Sequence, residues 1–302
     1  MNKSVIVNNL SKKYGETKAI ENINFEVNNS EIFGLIGPDG AGKSTIIRIL
    51  TSLILADSGK CTLNGLDVVK DYKKIRKIIG YMPGRFSLYQ DLTVEENLKF
   101  FATVFGTSIE ENYDLIKDIY HQIESFKKRR AGKLSGGMKQ KLALSCALIH
   151  KPEILVLDEP TTGVDAVSRK EFWDMLKKLK EKDITIIVST PYMDEASLCD
   201  RVALIQKGNI MQINTPEKII NNFTKELLSI KSKNIYKLLK DLRKYPEYRS
   251  AFPFGQNIHF TSNETIADIE NIKNFLINNG HQNIDIKAIK ANIEDCFMEL
   301  MT

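Results

Sequence analysis

Cysteine, histidine and long apolar runs are scarce in this chain, and each scarcity removes a class of function. The four cysteines (Cys61, Cys146, Cys199, Cys296) lie far apart and form no CxxC pair. Neither a disulfide framework nor a thiolate metal site is expected; small buried thiols in a reducing compartment account for them. The four histidines likewise form no cluster at ligand spacing. No apolar stretch approaches the roughly 18 residues that span a bilayer, and the polar opening Asn2-Lys3-Ser4 carries no signal-peptide pattern. If the protein serves a membrane process, the membrane part is expected to be another polypeptide. There is no internal repeat and no low-complexity segment. The 43 Lys and Arg outnumber the 38 Asp and Glu only slightly, for a net charge of +5, and the two signs are mostly interspersed. The exception is Lys127-Lys128-Arg129-Arg130 with Lys133, which reads as solvated surface or as a contact for phosphate, lipid headgroup or a partner.

What is present is the pattern of a folded α/β protein. With 42% hydrophobic and 27% charged residues, the chain is neither disordered nor membrane-embedded in composition. Short, almost wholly apolar runs at 32–36, 78–82, 154–157, 184–188 and 202–205 predict strands buried on both faces, as in a parallel sheet covered by helices. Between them, apolar residues recur at helical spacing, as at Ile46, Ile49, Leu50 and Leu53. Runs at 5–7, 23–27 and 61–63 predict a flanking antiparallel sheet. From about Phe86 to Leu148 the apolar strands vanish and helical periodicity takes over, predicting an inserted helical lobe. From about residue 223 onward, strand-like runs at 227–230, 257–260 and 284–289 alternate with helical patterns at 235–243, 266–277 and 293–301. The domains are therefore expected at 1–222 and 223–302, the second a small α+β unit.

Gly37-Pro38-Asp39-Gly40-Ala41-Gly42-Lys43-Ser44 fits GxxxxGK[ST] in full, between a predicted strand (31–36) and a helix starting near Ser44. Glycines let backbone N–H groups turn inward around phosphates, and the helix N-terminus favours the same anion. In such a loop the lysine (Lys43) reaches the β/γ-phosphates and the serine (Ser44) supplies a hydroxyl to Mg²⁺. The run Ile154-Leu-Val-Leu-Asp158-Glu159 is an apolar strand ending in two carboxylates, which a parallel sheet places beside that loop. There Asp158 would hold Mg²⁺, directly or through water, and Glu159 would polarise the attacking water as the catalytic residue. Leu134-Ser135-Gly136-Gly137-Met138-Lys139-Gln140 opens another helix and makes a second anion-binding N-terminus. One nucleotide has no use for both on the same chain. A head-to-tail dimer, in which each Ser135–Gly137 turn caps the ATP of its partner, uses both.

On these motifs the chain resembles the ABC ATPase family over residues 1 to about 220. LSGGMKQ is similar to the family signature, and Thr161-Thr162-Gly163-Val164-Asp165 to the loop through which paired sites communicate. The resemblance implies a P-loop NTPase fold with a RecA-like parallel-sheet core. It implies ATP-binding positions at Tyr14 (against adenine), Gly37, Asp39, Gly40, Ala41, Gly42, Lys43, Ser44 and Thr45; metal positions at Ser44 and Asp158; signature contacts with the partner's ATP at Ser135, Gly136 and Gly137; and dimer communication at Asp165. The segment Gly80-Tyr81-Met82-Pro83 with Leu88–Leu98 resembles the drug- and polysaccharide-export branch that works with ABC-2-type permeases, as does the tail Asn292–Leu300.

Two positions depart from that family. Gly84 stands where a glutamine side chain normally reaches Mg²⁺ and the lytic water, and Pro191 stands where a histidine normally meets the γ-phosphate. Asp39 replaces a commoner asparagine. The expectation is a Mg-dependent ATPase with ATP and Mg²⁺ as cofactors, its turnover impaired at Gly84 and Pro191. Its expected partners are a second cassette (self or paralogue) and an integral membrane permease, at the cytoplasmic face of the membrane, with Phe86, Leu88 and Tyr89 as candidate permease contacts. No nucleic acid is expected. The alternatives are an ATP-dependent regulatory clamp and a soluble ABC protein acting on nucleic acid. The C-terminal unit is expected to be regulatory, a lid or dimer brace, or a stabilising addition.

Overall fold

The computed structural model describes residues 2–264 and 267–301. The chain forms two compact units, Met1–Thr215 and Pro216–Thr302.

The first unit opens with a long hairpin, β1 (Lys3–Tyr14) and β2 (Thr17–Asn28). It then enters β3 (Ile32–Ile36), α1 (Lys43–Leu50), β4 (Ser58–Leu63), β5 (Leu66–Asp67), α2 (Tyr72–Ile78) and β6 (Ile79–Met82). The predicted helical lobe follows as α3 (Val94–Phe105), α4 (Tyr113–Glu124) and α5 (Gly136–Leu148). The core resumes with β7 (Ile154–Asp158), α6 (Ala166–Lys180), β8 (Thr185–Thr190), β9 (Arg201–Gln206) and β10 (Asn209–Asn214). Two sheets result, one in the order β2-β1-β4-β5 and one in the order β10-β9-β3-β8-β7-β6. Strands β9, β3, β8, β7 and β6 run parallel, and β10 closes one edge antiparallel to β9. Every residue of β3, β7 and β8 is buried, which is why those strands read as unbroken apolar runs.

Alignment of β3, β8 and β7 brings their C-terminal ends to one edge: Ile36 pairs with Thr190, and Asp158 with Ser189. Ligands of open parallel sheets bind at this edge. The strands of the flanking sheet are longer than their apolar runs, because β1 and β2 continue through alternating polar positions. Strand β10 was not predicted; as a partly exposed edge strand, Asn-Ile-Met-Gln-Ile-Asn, it has no continuous apolar run.

The second unit contains α7 (Pro216–Asn221), β11 (Leu227–Lys231), α8 (Ile235–Leu242), β12 (Tyr248–Phe254), β13 (Asn257–Ser262), α9 (Ile269–Asn278), β14 (Asp285–Ile289) and α10 (Ile293–Glu299). Its antiparallel sheet has the order β12-β13-β11-β14. The division falls at 215/216 rather than near 222 because Ile219 of α7 is buried and its carbonyl accepts the Cys296 thiol of α10. The unpredicted β12 holds Pro253, which an edge strand accommodates. The helical pattern expected from Ile266 appears as α9; Ile266 itself lies outside the described residues.

Candidate nucleotide site

The loop Gly37–Gly42 joins β3 to α1 at the C-terminal edge of the parallel sheet. Its packing explains two of its glycines. A Cβ on Gly37 would stand 2.1 Å from the Ile205 carbonyl oxygen, and one on Gly42 2.6 Å from that of Ala19, with Gly42 also at φ 103°. Lys43 is 2% exposed, and its ammonium donates to the Gly37 and Pro38 carbonyls at 2.8 and 3.0 Å. It also stands 3.4 Å from a Glu159 carboxylate oxygen. Ala41 and Thr45 are buried in the same loop and first turn, and Asp39 and Gly40 are exposed.

Ser44 donates its hydroxyl to Asp158 Oδ1 at 2.9 Å, and Ser189 donates to the same oxygen at 2.7 Å. The Glu159 N–H donates to the Ser189 hydroxyl and carbonyl at 3.0 and 3.1 Å. Glu159 adopts φ 50°, a left-handed conformation that a non-glycine residue rarely holds without surrounding support. The structure thus brings together Lys43, Ser44, Asp158 and Glu159. It adds Ser189 and Thr190, the latter accepting the Gly37 N–H at 3.3 Å. Sequence reasoning assigned neither residue a role; their only signal was their place at the end of an apolar strand.

Gly84 lies against this cluster. A Cβ there would stand 3.1 Å from the Asp158 carbonyl oxygen and 3.8 Å from its carboxyl carbon. A longer side chain at position 84 would start beside the carboxylate, and glycine leaves that side bare. Tyr14 closes β1, is 47% exposed, and has the Lys12 ammonium 5.9 Å from its ring centroid. It belongs to the hairpin whose second strand carries Ala19 and Ile20 against Gly42.

Ser135 caps α5 by accepting the Met138 N–H at 3.4 Å. Asp165 caps α6 by accepting the Val167 and Ser168 N–H groups at 3.1 and 3.0 Å. Bonds from the Ser168 backbone and side chain, and from Val167, hold the Asp165 carboxyl below the usual carboxylate range. The two caps are back to back: a Cβ on Gly136 would lie 3.4 Å from the Gly163 carbonyl, and one on Gly137 2.6 Å from Ser168 Oγ. The nearest neighbours of the Gly136-Gly137 turn are therefore the Asp165 turn and α6, not the loop at Gly37–Ser44.

Comparison with known proteins decides the family. Residues 20–162 match the ABC transporter family model. Over 299 residues the chain is 34% identical to Nod factor export ATP-binding protein I of Rhizobium sp. (strain N33), covering 96% of this chain and 94% of that protein. The chain belongs to the ABC transporter ATP-binding proteins. This ABC cassette is also 42% identical over 212 residues to the probable multidrug ABC transporter ATP-binding protein YbhF of Escherichia coli (strain K12). That alignment takes in 70% of this chain and 37% of YbhF, so the cassette spans little more than a third of that longer relative. Among solved structures it matches the dimeric post-hydrolysis cassette MJ0796 bound to ADP and Pi, with 27% identity, a TM-score of 0.63, and coverage of 70% of this chain and 98% of that one.

Proposed function

We propose that this cassette binds Mg-ATP at Gly37–Ser44, closes head to tail on a second cassette, and drives a separate membrane permease that exports its substrate, with slow hydrolysis at its own site. The observation that carries this reading is the convergence of Lys43, Ser44, Asp158 and Glu159 at one sheet edge, joined through Ser189. Phosphates entering the loop would replace the Gly37 and Pro38 carbonyls as partners of the Lys43 ammonium. That exchange would also draw Lys43 from Glu159, leaving the carboxylate to orient and accept a proton from the attacking water. Tyr14 would stack on the base. Ser44 and Asp158 present two hard oxygen donors 2.9 Å apart, a pair suited to Mg²⁺, which takes few protein ligands and completes its shell with phosphate and water. When bound, the ion would neutralise charge on the β- and γ-phosphates.

Ser135–Gly137 and Asp165 form one surface away from the cassette's own loop, which supports their assignment to the ATP and communication loop of a partner. Among the described residues no helix is long and apolar enough to cross a membrane, which fits a peripheral subunit at the cytoplasmic face. The names of its relatives, in Nod factor export, multidrug transport and linearmycin resistance, favour export as the direction. Gly84 and Pro191 favour slow turnover, because each lost donor near developing charge costs on the order of 10²–10³ in rate. They also keep a second reading alive, an ATP-dependent clamp that closes without turning over.

Steady-state phosphate release by the purified wild type and by Glu159→Gln separates these readings. A slow wild-type rate abolished by the substitution supports the proposal, and a rate as fast as that of an ordinary ABC ATPase removes the impairment. No release at saturating ATP with intact binding leaves the clamp. Co-purification with a permease from detergent-solubilised membranes tests the transport role; association with ribosomes or DNA would overturn it.

A further inference from the structure

The end of β8 has no side-chain donor at Pro191, yet the residue before it is tied from several directions. Thr190 is fully buried; its carbonyl accepts the Gly37 N–H at 3.3 Å, and its hydroxyl accepts the Tyr192 N–H at 3.1 Å. The same hydroxyl donates to Glu195 Oε2 at 2.5 Å. Glu195 is only 1% exposed, and a carboxylate that deep is costly unless something compensates its charge. Its other oxygen faces Arg169 Nε at 3.7 Å, and both atoms are buried with no closer hydrogen-bond partner. The Arg169 guanidinium also lies over the Tyr192 ring at 4.4 Å and stands 3.6 Å from Asp194. Arg169 sits one turn into α6, where its N–H donates to the Asp165 carbonyl at 2.9 Å. A path therefore runs from Asp165 through Arg169, Glu195 and Thr190 to Gly37, hydrogen-bonded at every step but the 3.7 Å approach of Arg169 to Glu195.

We propose that Arg169 and Glu195 are positioning residues that transmit the placement of the Asp165 turn to the phosphate loop, and that they hold the end of β8 where Pro191 offers no side-chain donor. The inference rests on the reading of Gly37–Ser44 as the phosphate loop and of Asp165 as partner-facing. A planar guanidinium suits the task because its face stacks on Tyr192 while its Nε edge addresses Glu195. The present separation is about 1 Å longer than a charge-assisted hydrogen bond of about 2.7–2.9 Å. A small shift of the α6 N-terminus as a partner docks would close that gap and pull on Thr190. Misplacing catalytic groups by about 1 Å costs roughly 10²-fold in rate.

The test uses the full-length chain and two readouts. In nucleotide-free protein, Arg169→Met and Glu195→Gln should each speed amide hydrogen exchange at Gly37 while leaving exchange in the C-terminal unit unchanged. With Mg-ATP, each should lower kcat by about 10–100-fold while ATP affinity stays within about threefold, and the double variant should fall no further than the worse single. Unchanged Gly37 exchange in both single variants would overturn the proposal, as would losses in kcat that multiply in the double variant. The exchange arm needs no turnover. If the wild type fails to bind ATP, the ATPase reading falls, and exchange alone decides the relay.

Discussion

Asp158 receives two hydroxyls at one oxygen, from Ser44 at 2.9 Å and Ser189 at 2.7 Å. Ser189 also accepts the Glu159 N–H, so one buried hydroxyl sets the relation between the two carboxylates. Ser189→Ala should lower kcat about tenfold or more, with ATP affinity little changed, because the loss falls on preorganisation rather than on phosphate binding. Steady-state phosphate release and nucleotide titration check it, and a change under about twofold would reduce Ser189 to packing. Position 84 allows the opposite experiment. A side chain there begins 3.8 Å from the Asp158 carboxyl carbon, but its Cβ also stands 3.1 Å from the Asp158 carbonyl, so the backbone must yield slightly. Gly84→Gln combined with Pro191→His should raise kcat at least about tenfold, given what each missing donor costs. An unchanged rate would show that something else limits turnover. The motif residues were legible because the loop, strand and signature fix their spacing. Ser189 was not, because its bond to Asp158 joins residues 31 apart in sequence and leaves no local mark.

Among the strands of the parallel core sheet, legibility followed burial. Strands β3, β7 and β8 are buried on both faces and stood out as apolar runs, whereas the edge strands β10 and β12 alternate or contain proline and did not. The C-terminal unit shows what periodicity cannot reveal, buried polar pairs between elements. His281 follows α9; its Nδ1 meets Ser232 Oγ at 3.1 Å, and its Nε2 meets Asp241 Oδ2 on α8 at 3.1 Å. Burial pushes the Asp241 carboxyl up, but hydrogen bonds from His281 and Lys244 outweigh it and hold it below the usual carboxylate range. A depressed folded pKa means that the unfolded chain binds the proton first as pH falls. The stabilisation is therefore complete above the unfolded value and is lost as pH drops through the folded one. The C-terminal unit should lose stability in that acid window, and Asp241→Asn should flatten the dependence. Hydrogen exchange or circular dichroism between neutral pH and the acid limb checks this; an unchanged slope in the variant would remove Asp241 as the source.

For the whole molecule, the sequence predicts one cassette and a smaller α+β unit; residues 20–162 match the ABC transporter family model, and the chain forms two compact units. The pairing of cassettes was inferred from motif logic, and the geometry sharpens how to test it. Gly137 is a poor choice for substitution, because its Cβ would collide with Ser168 and disturb the chain's own α6. Ser135 is also poor, because its hydroxyl caps α5. Gly136 is exposed, and its Cβ would meet only the Gly163 carbonyl at 3.4 Å, so Gly136→Asp places a carboxylate on the turn proposed to meet the partner's phosphates while sparing the fold that carries it. In Mg-ATP, Glu159→Gln should double its mass in light scattering, since binding is retained and the reopening step is blocked. Glu159→Gln with Gly136→Asp should remain at monomer mass while binding ATP at its own loop with unchanged affinity. A dimer that survives Gly136→Asp would place the partner's nucleotide elsewhere. If Glu159→Gln pairs only when a second, different cassette is supplied, the functional unit is a heterodimer, and the sparse γ-phosphate side at Gly84 and Pro191 then belongs to one of two unequal sites.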